Sequence, residues 1–186
     1  MSYERFPKDV KVCERILIDD GKLVFEVIET NEKDTVRAKT IQGGLLSSKK
    51  GVNLPNTAIS LPALTEKDIQ DAHFMLDNEF DWIALSFVRH AQDIKDLKEL
   101  IKNHATSKFK TPIVAKIEKP EGVENIEEIL EECDAIMVAR GDLGVEVPME
   151  EVPVIQKKLV EKARYHAKPV IIATQMMETM INSLTP

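Results

Sequence analysis

The chain has 186 residues and a formal net charge of −7, which disfavours nucleic acid or an anionic membrane as its partner. Hydrophobic residues make up 43% and charged residues 31%, so the chain is globular rather than disordered, and it is long enough to bury a sizeable core. Cys13 and Cys133 stand far apart without metal-ligand spacing, no apolar run reaches the ~18 residues of a membrane span, and no signal-peptide core follows Met1; a cytoplasmic protein without disulfides or zinc is expected.

Residues 8 to 60 read as β. Val10-Lys11-Val12 alternates and suggests a first strand. The apolar runs Arg15-Ile16-Leu17-Ile18 and Leu23-Val24-Phe25-Glu26-Val27-Ile28 flank Asp19-Asp20-Gly21, a hairpin signal because Asp and Gly tolerate positive φ. Thr35 to Ile41 is a further strand, broken by Gly43-Gly44. Asp19 and Asp20 read most simply as turn residues, and Lys49-Lys50 as a solvated pair.

Beyond Leu61-Pro62 the texture changes. Thr65 with Asp68 three residues on predicts an N-capped helix whose apolar positions Ile69, Ala72, Met75 and Leu76 recur at helical spacing. Strands are then expected at Asp81 to Val88, Pro112 to Ile117, Ala135 to Ala139 and Pro169 to Thr174. Helices are expected at Ile94 to His104, Val123 to Glu131 and Val154 to His166. The strands are apolar along their length, as in a parallel sheet covered on both faces. Their polar residues gather at the C-terminal ends, where α/β folds build sites. Neither GxGxxG after a first strand nor GxxxxGK[ST] occurs, so neither a dinucleotide fold nor a P-loop is supported.

Lys116 and Glu118 are two residues apart and share a strand face, with Ile117 on the other. Glu118 and Asp142 together suit Mg²⁺, which takes one or two carboxylates plus substrate oxygens. Lys116 beside them would neutralise charge developing on a transferred phosphoryl group. If a helical turn starts at Gly141-Asp142, its backbone N–H groups face an anion such as a substrate carboxylate. The competing interpretation is an exposed Lys116–Glu118 ion pair; the three residues together favour a site. Thr174, Ser86 and Arg140 stay open between site and scaffold. His73, His90, His104 and His166 read as surface residues, and Met176, Met177 and Met180 as core packing.

Asp19-Asp20-Gly21, Lys49 to Pro55, Leu85-Ser86-Phe87-Val88-Arg89, Ala115-Lys116-Ile117-Glu118, Ile136 to Glu146 and Ala173 to Met180 together resemble pyruvate kinase, in the family's order and over nearly the whole chain. The resemblance implies transfer of the phosphoryl group of phosphoenolpyruvate to ADP, giving pyruvate and ATP. It implies a partial (β/α)8 TIM barrel of about four βα units in residues 58–186, preceded by part of a small β-barrel lid domain in residues 1–57. By the same resemblance Glu118 and Asp142 hold Mg²⁺ (or Mn²⁺), and Lys116 stabilises the phosphoryl group in flight. Gly141 and Asp142 hold the substrate carboxylate, Thr174 lies by the enolate, and Lys50 and Asp20 reach the nucleotide. Ser86 and Phe87 line the site in a supporting role.

The family further implies K⁺, whose ligands lie on strands upstream of this chain, and a homotetrameric parent. The expectation is of a fragment, itself inactive or only binding metal and substrate, with open sheet edges that favour self-association. A metal-dependent pyruvate lyase or aldolase on a similar barrel is the alternative enzyme.

Overall fold

Two patterns of different period divide the chain. The computed structural model describes residues 3–55, 57, 63–104, 110–176 and 178–183. It separates into two compact units, Met1–Leu61 with Val145–Val147, and Pro62–Gly144 with Pro148–Pro186.

The first unit opens with α1 (Phe6–Asp9) rather than with the strand expected at Val10 to Val12. Pro7 in its first turn is pre-set for a helix start, and three alternating residues are too few to outweigh that. Val10 instead closes the helix, its N–H reaching the Phe6 carbonyl, and its side chain joins Ile16, Val27 and Leu54 in a small core. Strands β1 (Arg15–Ile18) and β2 (Leu23–Thr30) form the expected hairpin, with Asp19, Asp20 and Gly21 at φ 55°, 55° and 81°. Strands β3 (Val36–Gln42) and β4 (Val52–Asn53) complete an antiparallel sheet of order β3-β2-β1-β4. β3 is exposed almost throughout.

In the second unit, α2 (Glu66–Asp77) begins at the predicted cap: Asp68 N–H donates to Thr65 Oγ1, and Thr65 N–H donates to Asp68. Strands β5 (Ile83–Leu85), β6 (Ile113–Ile117), β7 (Ala135–Ala139) and β8 (Val170–Ala173) pair in that order, all parallel. Between them run α3 (Ala91–Asn103), α4 (Pro120–Glu124), α5 (Ile126–Glu132), α6 (Arg140–Glu146) and α7 (Val152–Tyr165). The helix expected at Val123 to Glu131 is thus two helices, parted at Asn125, whose φ −92° and ψ 18° interrupt the turn. The Asn125 amide donates to the Arg89 carbonyl.

α3 buries Ala91, Ile94, Leu97 and Ile101, one stripe at helical spacing, and packs on α5. Burying each large aliphatic side chain there contributes roughly 1.5–3 kcal/mol. Asp93 caps the helix, accepting from the N–H groups of Arg89 (2.8 Å) and His90 (3.0 Å). Lys98 on α3 reaches Glu132 on α5 at 2.7 Å. α4 approaches the chain after β5 so closely that a Cβ on Gly122 would lie 2.5 Å from the Val88 carbonyl oxygen. Only glycine fits there without moving backbone.

Register sorts the sheet into two faces. Ile83, Leu85, Ile113, Ala115, Ile117, Ile136 and Val138 form the buried, helix-covered face. On the other face Lys116, Met137 and Ile171 lie in one row, and Ile171 is 43% exposed. Burial on both faces therefore holds for most of the central strands β6 and β7 and fails at β5 and β8, which have a strand neighbour on one side only among the described residues.

Two expectations about side-chain placement need correction. Met176 (50% exposed) and Met180 (44%) do not pack in a core, because the chain leaves the sheet after β8 in left-handed turns at Thr174 and Gln175. Met177 lies outside the described residues. His104 and His166 are half-buried rather than surface residues: His104 stacks on His73 with ring centroids 5.1 Å apart, and His166 Nε2 lies 2.8 Å from Glu127. No described helix is long and apolar enough to cross a membrane.

Burial pushes the Cys133 thiol up to about 11, whereas Cys13 is exposed. Cys133 therefore stays neutral and shielded at pH 8, and thiolate is the reactive form. A thiol reagent at pH 8 is expected to titrate Cys13 alone in the native chain and both cysteines in denaturant. Rapid modification of Cys133 in the native chain would contradict this packing.

Candidate active site

The site grows from the C-terminal ends of the parallel strands. Lys116 near the end of β6 and Glu118 just past it point to one side, as their spacing requires. Lys116 Nζ lies 2.6 Å from Glu118 Oε1. This is not the exposed pair considered from sequence, for Glu118 is 1% exposed and Lys116 23%. Two groups from the end of β5 hold the pair: Lys116 Nζ donates to Ser86 Oγ (2.9 Å), and the Phe87 N–H donates to Glu118 Oε2 (2.7 Å).

Phe87 takes φ 55°, a left-handed value costly for a bulky residue. That turn ends β5 at Leu85, short of the strand expected to run to Val88. Burial pushes the Glu118 carboxyl above the usual range; the Lys116 and Phe87 hydrogen bonds oppose the rise, and the charge of Asp142 adds to it.

Asp142 sits in the first turn of α6 and is exposed. The helical turn anticipated at Gly141-Asp142 is formed. The Gly141 N–H donates to Thr174 Oγ1 (2.9 Å), which donates in turn to the Ala173 carbonyl (2.7 Å). Thr174 does not fill a strand: it stands past β8 at φ 64°, and a Cβ on Gly141 would lie 2.8 Å from its hydroxyl. Arg140 reaches Gln156 on α7 (3.2 Å) and the Met176 sulfur (3.1 Å).

The described residues contain no cluster of three carboxylate, histidine or cysteine side chains able to cage a metal. The donor set is instead two carboxylates, Glu118 and Asp142, near enough for one charge to shift the other. That fits Mg²⁺ or Mn²⁺, which completes its sphere with water and substrate oxygens.

In the first unit, Lys50 Nζ lies 2.9 Å from Asp19 Oδ1, and Lys22 lies 3.2 Å from Asp19 Oδ2. Lys50 and Lys22 hold the Asp19 carboxyl below its usual range. Lys49 and Lys50 are both exposed, as read from the sequence, and Lys50 adds one ion pair at the surface. Asp20, the hairpin residue expected to act with Lys50, is exposed, and its neighbour Asp19 is the one Lys50 meets.

A family model described as pyruvate kinase, barrel domain, matches residues 1–186. The chain belongs to the pyruvate kinase family. It is 48% identical to pyruvate kinase 2 of Synechocystis sp., 46% to pyruvate kinase of Mycobacterium intracellulare and 44% to pyruvate kinase of Clostridium perfringens. Each match covers 100% of this chain and only 31%, 38% and 39% of the relative. The chain thus spans about a third of the length of these pyruvate kinases. Of the residues singled out in the sequence, the structure brings Lys116 and Glu118 together near Asp142, and Gly141 together with Thr174. The holding of Lys116 by Ser86 and of Glu118 by the Phe87 N–H was not legible; the one signal was a polar residue at the C-terminal end of an apolar strand.

Proposed function

We propose that the parent protein transfers the phosphoryl group of phosphoenolpyruvate to ADP, giving pyruvate and ATP. The observation that carries this is the Lys116–Glu118 pair, fixed by Ser86 and Phe87 at the C-terminal end of a parallel sheet in a pyruvate kinase family chain. Glu118 and Asp142 hold Mg²⁺ or Mn²⁺, which when bound neutralises charge on the phosphoryl oxygens. Lys116 directs its ammonium at the transferring group and stabilises it. Gly141 and Asp142 receive the substrate carboxylate on their N–H groups, with the Thr174 hydroxyl beside the enolate. Lys50 meets the nucleotide phosphates, Asp20 or its neighbour Asp19 joins the closed nucleotide site, and K⁺ is held by residues outside this chain.

In this reading residues 58–186 are a central part of a (β/α)8 barrel and residues 1–57 part of its β lid. The parent is a cytoplasmic homotetramer. The isolated 186-residue chain binds metal and substrate without turnover and self-associates through the open edges of β5 and β8.

The test is pyruvate formation by the purified full-length parent from phosphoenolpyruvate and ADP with Mg²⁺ and K⁺. Turnover is expected; a folded parent without it would overturn the proposal. Nucleotide-independent aldol cleavage would revive the lyase alternative. A Gly141→Ala parent is expected to raise the KM for phosphoenolpyruvate about 10- to 100-fold, since the new Cβ displaces the hydroxyl beside the N–H that meets the carboxylate. An unchanged KM would place the carboxylate elsewhere.

A further inference from the structure

We infer that Ser86 is a positioning residue for Lys116, holding the ammonium in place when Glu118 turns to the metal; this rests on the phosphoryl-transfer reading above. Both carboxylate oxygens of Glu118 are engaged, Oε1 by Lys116 and Oε2 by the Phe87 N–H. Glu118 is almost wholly buried, and a divalent cation held by it together with Asp142 would draw on the carboxylate charge that now faces Lys116. Two cations drawing on one carboxylate would repel, which would weaken the hold of Glu118 on the lysine. A four-carbon stem then has many rotamers, and an ammonium left to wander loses the geometry that makes it effective.

Ser86 supplies the second hold. Leu85, the last residue of β5, pairs with Ala115, so Ser86 lies one step past the strand end, beside Lys116. Its hydroxyl accepts from Lys116 Nζ at 2.9 Å. The acceptor is neutral and anchors the ammonium without cancelling its charge, which an aspartate would do. The next residue turns left-handed and sends its N–H to the carboxylate. Successive residues thus hold the two members of the pair separately, Ser86 the cation and Phe87 the anion. This separation lets the pair part while each side chain keeps a fixed partner.

The test uses the full-length parent. Ser86→Ala is expected to lower kcat about 10- to 100-fold, the loss of one hydrogen bond to a charged group. The KM for phosphoenolpyruvate and the half-saturating Mg²⁺ should stay within about 3-fold, and the melting temperature should hold, if Ser86 acts through Lys116 alone. Ser86→Thr restores the hydroxyl and most of kcat. In a Lys116→Met background, Ser86→Ala should cost no more, since its effect passes through the lysine. Wild-type kcat in Ser86→Ala would overturn the inference. So would an undiminished loss in the Lys116→Met background, whatever Ser86→Thr does. A fully active Lys116→Met parent would instead overturn the phosphoryl-transfer reading itself.

Discussion

Lys116→Met is expected to lower kcat of the full-length parent by about 10³-fold, the scale of removing a preorganised charge from a developing transition state. The same substitution is expected to destabilise the fold, and the two effects can be separated. Glu118 is almost wholly buried, and Lys116 and the Phe87 N–H are what oppose its burial penalty. Without the lysine, Glu118 must remain charged and unpaired or take up a proton. Protonating a carboxyl whose ordinary value is 4.5 costs about 3 kcal/mol at pH 7, which caps the loss near that figure.

The sign with pH follows. A carboxyl raised on folding contributes stability that is present below its unfolded value and lost as pH rises through its folded value. The variant raises Glu118 further, so its deficit against the wild type is largest near neutrality and narrows as the pH falls towards 4.5. Paired melting curves at pH 5 and pH 7.5 measure this. The double variant Lys116→Met/Glu118→Gln should recover most of the stability at pH 7.5 and none of the activity. An equal deficit at both pH values would mean that the pair contributes through packing and not through charge.

The sequence was most informative where a short-range rule acted alone. The hairpin at Asp19-Asp20-Gly21, the cap at Thr65 and the apolar β7 follow from turn chemistry, side-chain hydrogen bonding and periodicity. The spacing of Lys116 and Glu118 also needed only strand geometry. What remained hidden depends on partners distant in sequence. Nothing local says that Glu118 is buried, because its burial comes from strands and loops on either side of β6. The left-handed Phe87 is invisible to propensity, since an aromatic residue after an apolar run reads as more strand. The choice of Asp19 over Asp20 as the partner of Lys50 turns on which way adjacent residues of a tight turn face. Expecting Met176 and Met180 inside was a composition argument, and composition does not know where a chain leaves its sheet.

The second large effect concerns the metal. Asp142→Asn is expected to weaken Mn²⁺ binding by the full-length parent by about 10²-fold or more. Losing an outer partner of a metal ligand already costs about 10- to 100-fold, and a direct ligand counts for more. Its effect on stability should be small, because Asp142 is exposed and its charge adds to the upward push on Glu118. The substitution relieves that push, so the melting temperature should hold or rise slightly. Glu118→Gln should weaken Mn²⁺ binding to a similar degree by a different route, since its amide oxygen keeps the Phe87 hydrogen bond while the charge that attracts both Lys116 and the metal is lost. Electron paramagnetic resonance of free Mn²⁺ against protein concentration reads binding without relying on turnover. If Asp142→Asn binds Mn²⁺ as the wild type does, the two-carboxylate site is wrong and the metal must approach Glu118 from a side that Asp142 does not reach. If Asp142→Asn loses the metal while Glu118→Gln keeps it, Glu118 serves only as the counter-charge of Lys116.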